Sequence, residues 1–178
     1  MTTKKFNINR GESVIEWTGK KVTGSHNGTI SLASGTLTLT EGQLTGGNII
    51  VDMTSIKILD IKDPNTNAQF AGHLVSEDFF ATKEHPTATL EIKDVSKPVG
   101  STFHIVGNLT IRGITNIIEF DAEINKINNN TLQATCRLII DRTRYNMKFR
   151  SGNYFRDLSD NLIYNEFVLN VRPTARAD

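Results

Sequence analysis

The sequence predicts an all-β fold, an eight-stranded antiparallel barrel with a short helical crossover segment, and three observations predict it. Apolar and polar residues alternate along most of the chain, the period of strands with one wet and one buried face. Turn signals separate these runs at the spacing of a sandwich or barrel. About eight such runs are present, and eight strands is the size at which a closed barrel is just wide enough for side chains to fill or for one small ligand. The 178 residues are read as one domain over residues 1–178, with its core over about 13–172, since a chain of roughly this length buries enough surface for a single core.

Taken in order, Ser13–Lys20, Gly28–Thr40, Gly47–Ile56 and Thr87–Val95 supply the first four runs. Within Gly28–Thr40 the apolar phase slips: Ile30 and Leu32 are even, Leu37 and Leu39 odd, with Ser34-Gly35 between. Such a slip predicts a β-bulge, which lets a sheet bend sharply enough to close. Residues 60–86 form an irregular insertion in which Asn67–Val75 reads as a short amphipathic turn or helix. Thr102–Ile111 places Phe103, Ile105, Leu109 and Ile111 on one face, and the pattern resumes at Ile118, Phe120, Ala122 and Ile124. Arg112-Gly113 between them predicts a hairpin, because glycine supplies the positive φ of tight turns. Leu132, Ala134, Cys136, Leu138 and Ile140 follow Asn128-Asn129-Asn130 as the next strand. Phe167, Leu169 and Val171 mark the last, after the polar turn Ser159-Asp160-Asn161.

Composition excludes several classes. Twenty Lys and Arg against nineteen Asp and Glu, with no basic stripe, lack the electrostatic footprint of a nucleic-acid binder. The one cysteine, Cys136, rules out an intrachain disulfide and a cysteine zinc cage. No apolar run approaches the roughly 18 residues of a membrane-spanning helix. The opening MTTKKFNINRGESVIEW lacks the apolar run of about 7–15 residues of a signal peptide, so the expected location is cytoplasmic. Inward positions are apolar and outward ones charged or threonine-rich, the reverse of an outer-membrane pore.

Chemistry-bearing motifs are sparse. No G-x-S-x-G elbow, P-loop or G-x-G-x-x-G occurs. His26, in Gly24-Ser-His-Asn-Gly28, is either a turn histidine bonded to backbone or a base, and Ser25-His26 with a distant Asp could be drawn as a triad. His104 falls on a wet strand face. His73 and His85 stand near Glu77, Asp78 and Glu84, but their spacing matches no common zinc pattern. No metal and no cofactor is expected. Arg142, Arg144, Lys148 and Arg150 form the one basic cluster. It is either a solvated rim or the mouth for an anionic or polar head group. Phe79-Phe80 either plugs one end of the barrel as core or, with Asn67–Val75, roofs a ligand cavity.

In order along the chain, several short pieces carry a resemblance: Ser13-Val-Ile-Glu-Trp-Thr-Gly19, His26-Asn-Gly28 with Ser34-Gly35, and Val51-Asp-Met-Thr-Ser55. His73-Leu-Val-Ser-Glu-Asp-Phe-Phe80 with His85-Pro86, Gly107-Asn-Leu-Thr-Ile-Arg-Gly-Ile-Thr115 and Asp141-Arg142 complete it. Together they resemble the YceI-like family of lipid- or polyisoprenoid-binding proteins over about Ser13 to Arg172. The resemblance implies a lipocalin-like barrel whose apolar interior holds a long amphiphile, such as an isoprenoid quinone, a polyprenyl phosphate or a fatty amide. It implies no enzyme, a lipid as the partner and a possible homodimer, and it turns Phe79 and Phe80 into pocket wall. The secretion signal of many family members is not matched here, which keeps the expectation cytoplasmic.

The candidate wall residues are Trp17, Phe79, Phe80, Ile105, Leu109, Phe120 and Leu138, with His26 and Arg142 for polar contacts. Two other functions remain in view: an isomerase or cyclase using His26 or His85 as base, and a filled, stress-related barrel that binds a partner through its surface.

Overall fold

In the computed structural model, which describes residues 2–152 and 162–177, the alternating runs are strands that close on one another. In chain order they are β1 (Thr3–Ile8), β2 (Val14–Lys21), β3 (Gly24–Thr40), β4 (Gln43–Ile58), β5 (Thr87–Val95), β6 (Thr102–Ile111), β7 (Ile114–Ile127), β8 (Thr131–Asp141), β9 (Ile163–Arg172) and β10 (Thr174–Ala177). Strands β2 to β9 each pair antiparallel with the next, and β9 returns to β2, so eight strands form a closed barrel. The one α-helix among the described residues, α1 (Pro64–Leu74), lies between β4 and β5. The expected turn at Ser159-Asp160-Asn161 lies outside the described residues.

Two short strands were not expected. β1 pairs with the far end of β3 and with β10, and β10 pairs with the start of β8, so the two extend the wall where β2 and β9 stop. Phe6, 1% exposed, and Ala175, fully buried, fill that end of the barrel with Leu37, Leu44 and Leu132. Each large side chain so buried contributes about 1.5–3 kcal/mol. Side chains fill this end, and the cavity described below lies at the other.

Local chemistry sets the remaining geometry. The pair Ile111 and Ile114 leaves Arg112 and Gly113 as a two-residue turn with φ of 55° and 73°, the type I′ geometry that matches strand twist. In β3 the register against β4 shifts between Leu32 and Ser34, one residue before the expected Ser34-Gly35. A larger shift lies nearby: Thr29 pairs with Lys57, yet Ser31 pairs with Asp52. The extra β4 residues are folded up by side chains. Ser55 Oγ donates to the Asp52 carbonyl (2.6 Å) and accepts from the Ser31 N–H (2.8 Å), while the Asp52 carboxylate accepts from Thr54 N–H and hydroxyl.

Helix α1 begins at Asp63, whose carboxylate accepts from the Thr66 N–H (2.9 Å) as an N-cap, and Pro64 occupies the first helical turn. Asn67 Nδ2 then donates to the carbonyls of Ile58 and Ile61, both at 3.0 Å, which pins the helix over the end of β4.

These carboxylates predict acid sensitivity. Hydrogen bonds from Thr54 hold Asp52 below the usual range, those from Thr66 do so for Asp63, and the Arg176 guanidinium does so for Glu12. A depressed carboxylate adds stability above its unfolded pKa of about 4 and loses it as the pH falls through the folded value. The urea midpoint is expected to fall as the pH drops from about 5 to about 3, and Asp52→Asn should make that slope shallower. An unchanged slope in the variant would rule out Asp52 as a contributor.

Candidate ligand-binding site

The cavity occupies the end of the barrel beneath α1 and has a volume of about 160 Å³. Its depth is hydrocarbon. Trp17 of β2, Ile30 of β3, Met53 of β4, Ala88 of β5 and Leu109 of β6 face it because inward positions alternate along each strand. Phe70 and Leu74 of α1, with Phe79 and Phe80 of the turns that follow, close it from above.

The roof is held by specific contacts. Phe80 N–H donates to the Leu74 carbonyl (3.0 Å) and Phe79 N–H to the Ser76 carbonyl (3.1 Å), folding the segment back under the helix. His73 Nε2 is 2.9 Å from the Asp78 carboxylate, and its ring meets Phe79 and Phe149 edge to face at 5.0 and 4.7 Å. Phe80 packs edge to face on Phe167 at 6.0 Å. The His73–Pro86 stretch thus serves as an aromatic lid support. Among the described residues no group of three or more His, Cys, Asp or Glu could hold a metal ion.

Of the nine residues singled out in the sequence, Trp17, His26, Phe79, Phe80, Leu109 and Arg142 border the cavity. Ile105, Phe120 and Leu138 do not; they are buried in the packed part of the barrel, where Ile105 pairs with Phe120 and Leu138 with Leu169. Several residues that do border it, such as Met53, Phe70 and Met147, were not singled out. Amphipathic patterning in Asn67–Val75 pointed to Phe70; nothing in the sequence pointed to Met147.

Two polar groups stand at the cavity with their partners fixed. His26 Nδ1 is 2.8 Å from the Asp60 carboxylate, and its ring packs against Phe70 at 4.7 Å. Partial burial pushes the Asp60 carboxyl up, but the Asn27 N–H and His26 outweigh that and hold it below the usual range. Arg142, 4% exposed, lies 5.7 Å above the Phe79 ring. Its guanidinium donates from Nη1 to the Met147 carbonyl (2.7 Å), from Nε to Tyr164 (3.0 Å) and from Nη2 to Ile163 (3.0 Å). Burial pulls its pKa down to about 10, against the neighbouring Asp141, so it is still charged at neutral pH.

The other basic residues of that cluster, Arg144, Lys148 and Arg150, are exposed, and only Arg142 turns inward. His85 lies over the turn at Gly113, away from the cavity. His104 is exposed between Asp121 (2.8 Å) and Glu119 (3.7 Å). Burial pushes the Cys136 thiol up to about 12, which leaves it unreactive at neutral pH.

Comparison with known proteins fits this architecture. A UPF0312 protein of Staphylococcus epidermidis is 30% identical over 158 residues, which cover 83% of this chain and 85% of that one. Among solved structures, Burkholderia cenocepacia BcnA superposes with a TM-score of 0.74 at 18% identity, covering 94% of this chain and 99% of its own. A polyisoprenoid binding domain from Saccharophagus degradans, implicated in plant cell wall breakdown, gives 0.68 at 15% identity, covering 97% and 98%. At such identities these two structures speak for the fold. The YceI-like domain family matches residues 6–175, nearly the whole barrel from β1 to β10, and to that family the chain belongs.

Proposed function

We propose that this protein binds the apolar chain of an isoprenoid, such as a quinone or polyprenyl phosphate, or of a fatty amide, and carries or sequesters it. One observation carries the proposal: a hydrocarbon-lined cavity inside a closed barrel, with His26 and Arg142 at its border. Burial of chain methylenes supplies affinity at about 0.8 kcal/mol each, and a few placed polar groups orient the head. Family membership and the polyisoprenoid-binding description of the Saccharophagus neighbour support the same ligand class.

Native mass spectrometry of protein purified without detergent, followed by solvent extraction, tests it. The expected result is a co-purified amphiphile whose mass is absent from Leu109→Arg, which sets a cation in the cavity. Because that variant risks misfolding, Ala88→Leu, which fills the cavity with hydrocarbon, should also lose the ligand while melting near the parent. Retention of the same amphiphile by a folded Ala88→Leu protein would count against the proposal.

The His26–Asp60 pair favours a second function. An imidazole oriented by a carboxylate beside a hydrophobic cavity is the arrangement of a general base, which an isomerase or cyclase would use. Under that function His26→Gln abolishes turnover of a prenyl substrate; under the binding function it leaves uptake largely intact.

A further inference from the structure

The ladder between β2 and β9 shifts register at one point. Gly19 pairs with Phe167 and Lys21 with Ile163, so the single residue Lys20 stands opposite Tyr164, Asn165 and Glu166. Successive strand residues face opposite sides of a sheet. Trp17 and Gly19 point inward, which places Lys20 on the outer face, and Tyr164 and Glu166 are outward by the same alternation. A continuous wall would keep all three away from the interior, yet all three border the inner cavity.

Together with Lys21 they are the exposed residues among those described along the cavity border. The axial end, by contrast, is roofed by Leu74, Phe79 and Phe80. At the rim, a Cβ on Gly19 would meet none of the described residues within 4 Å.

The irregularity is built into the fold. The carbonyls of Ile163, the last residue paired before it, and of Tyr164, the first within it, accept from Arg142. Outside it a groove borders the same Lys20, Tyr164 and Glu166 and runs on over Thr18, Val168 and Ile139. The last three are cross-strand neighbours on the outer face. Ile139 is 52% exposed there.

Size supplies the occupant. A cavity of about 160 Å³ holds roughly one benzene-sized group, far less than a polyprenyl or long acyl chain. We propose that the irregularity between β2 and β9 is a lateral portal, through which the tail of a linear apolar ligand too long for the cavity leaves the barrel and lies in the outer groove over Val168 and Ile139. This rests on the ligand-binding function above. It adds that the ligand is held half inside and half outside, so chain length is sensed at the outer face.

The test is a titration with geraniol, farnesol and geranylgeraniol, followed through the fluorescence of Trp17, the one tryptophan of the chain, which borders the cavity. Ile139→Asp is expected to weaken geranylgeraniol by about tenfold or more while geraniol, whose ten-carbon chain outgrows the cavity only slightly and stops short of Ile139, changes by less than about twofold. Lys20→Cys alkylated with a bulky maleimide should show the same split, and Thr23→Cys alkylated at the adjacent hairpin tip should not. Cys136, half-buried in β8, is shielded from the reagent.

Equal weakening of the short and long prenols, or no weakening of geranylgeraniol in either variant, would overturn the portal while leaving interior binding intact. Failure of the unmodified protein to bind any of the three would overturn the binding function and the portal together.

Discussion

Replacing Arg142 by Met is expected to destabilise the protein by about 3–5 kcal/mol in urea titrations, the largest effect of any single side chain near the site. The guanidinium serves the carbonyls of Met147, Ile163 and Tyr164 from a buried position. Met fills similar space but donates nothing, so these acceptors lose their partner, at about 1–3 kcal/mol for each one kept from water. Arg142→Lys separates geometry from charge. One ammonium cannot span three acceptors that a planar fork reaches together, so it should recover less than half of the loss. A loss below about 1 kcal/mol in Arg142→Met would mean that water replaces the fork, and that the β2–β9 irregularity is held by something else.

Gly28→Ala is the second large effect. A Cβ at this position would lie 1.7 Å from the Lys57 carbonyl oxygen and 2.6 Å from Cζ2 of Trp17. Neither neighbour is a free end: one is the backbone of β4, the other a core ring. The two strands must separate and the indole must turn, which costs about 3 kcal/mol or more. Trp17 borders the cavity, so its emission should shift in the same variant. Gly19→Ala is the matched comparison. Its Cβ meets none of the described residues within 4 Å, and alanine in a strand interior is expected to be neutral or to stabilise by about 0.5–1 kcal/mol. Similar losses in the two variants would show that close approach at Gly28 is not what the barrel requires.

The long strands were legible because a one-sided apolar face repeats every second residue, and β5 and β6 have the bounds that the pattern predicts. Strands β1 and β10 were not. β1 buries Phe6 alone among Thr3–Ile8, and β10 is four residues long after Pro173. Neither is long enough, or apolar enough, to show a period.

For the site, alternation tells inside from outside but not depth along the barrel axis. Ile105, Phe120 and Leu138 are all inward, as expected, yet they sit in the packed part while Leu109 reaches the cavity. Arg142 looked like one member of a basic cluster because its partners are backbone carbonyls, which leave no mark on a sequence. Asp60, the partner of His26, lies 34 residues away. Its nearness follows from the β3–β4 pairing that brings Gly28 opposite Ile58, and a sequence reading that paired those strands could have found it.

The strand pair at the packed end has a kinetic consequence. β1, near the start of the chain, pairs with β10 at its far end, Phe6 opposite Ala177. Until β10 emerges, the start of β8 lacks a neighbour on that side and half of β1's hydrogen-bonding edge stands open. Such edges recruit other strands, and pairings this distant along the chain form slowly. A nascent or truncated chain lacking Thr174–Ala177 is thus a barrel with an unlatched seam, exposed to association with its own copies for as long as synthesis or refolding delays the final strand.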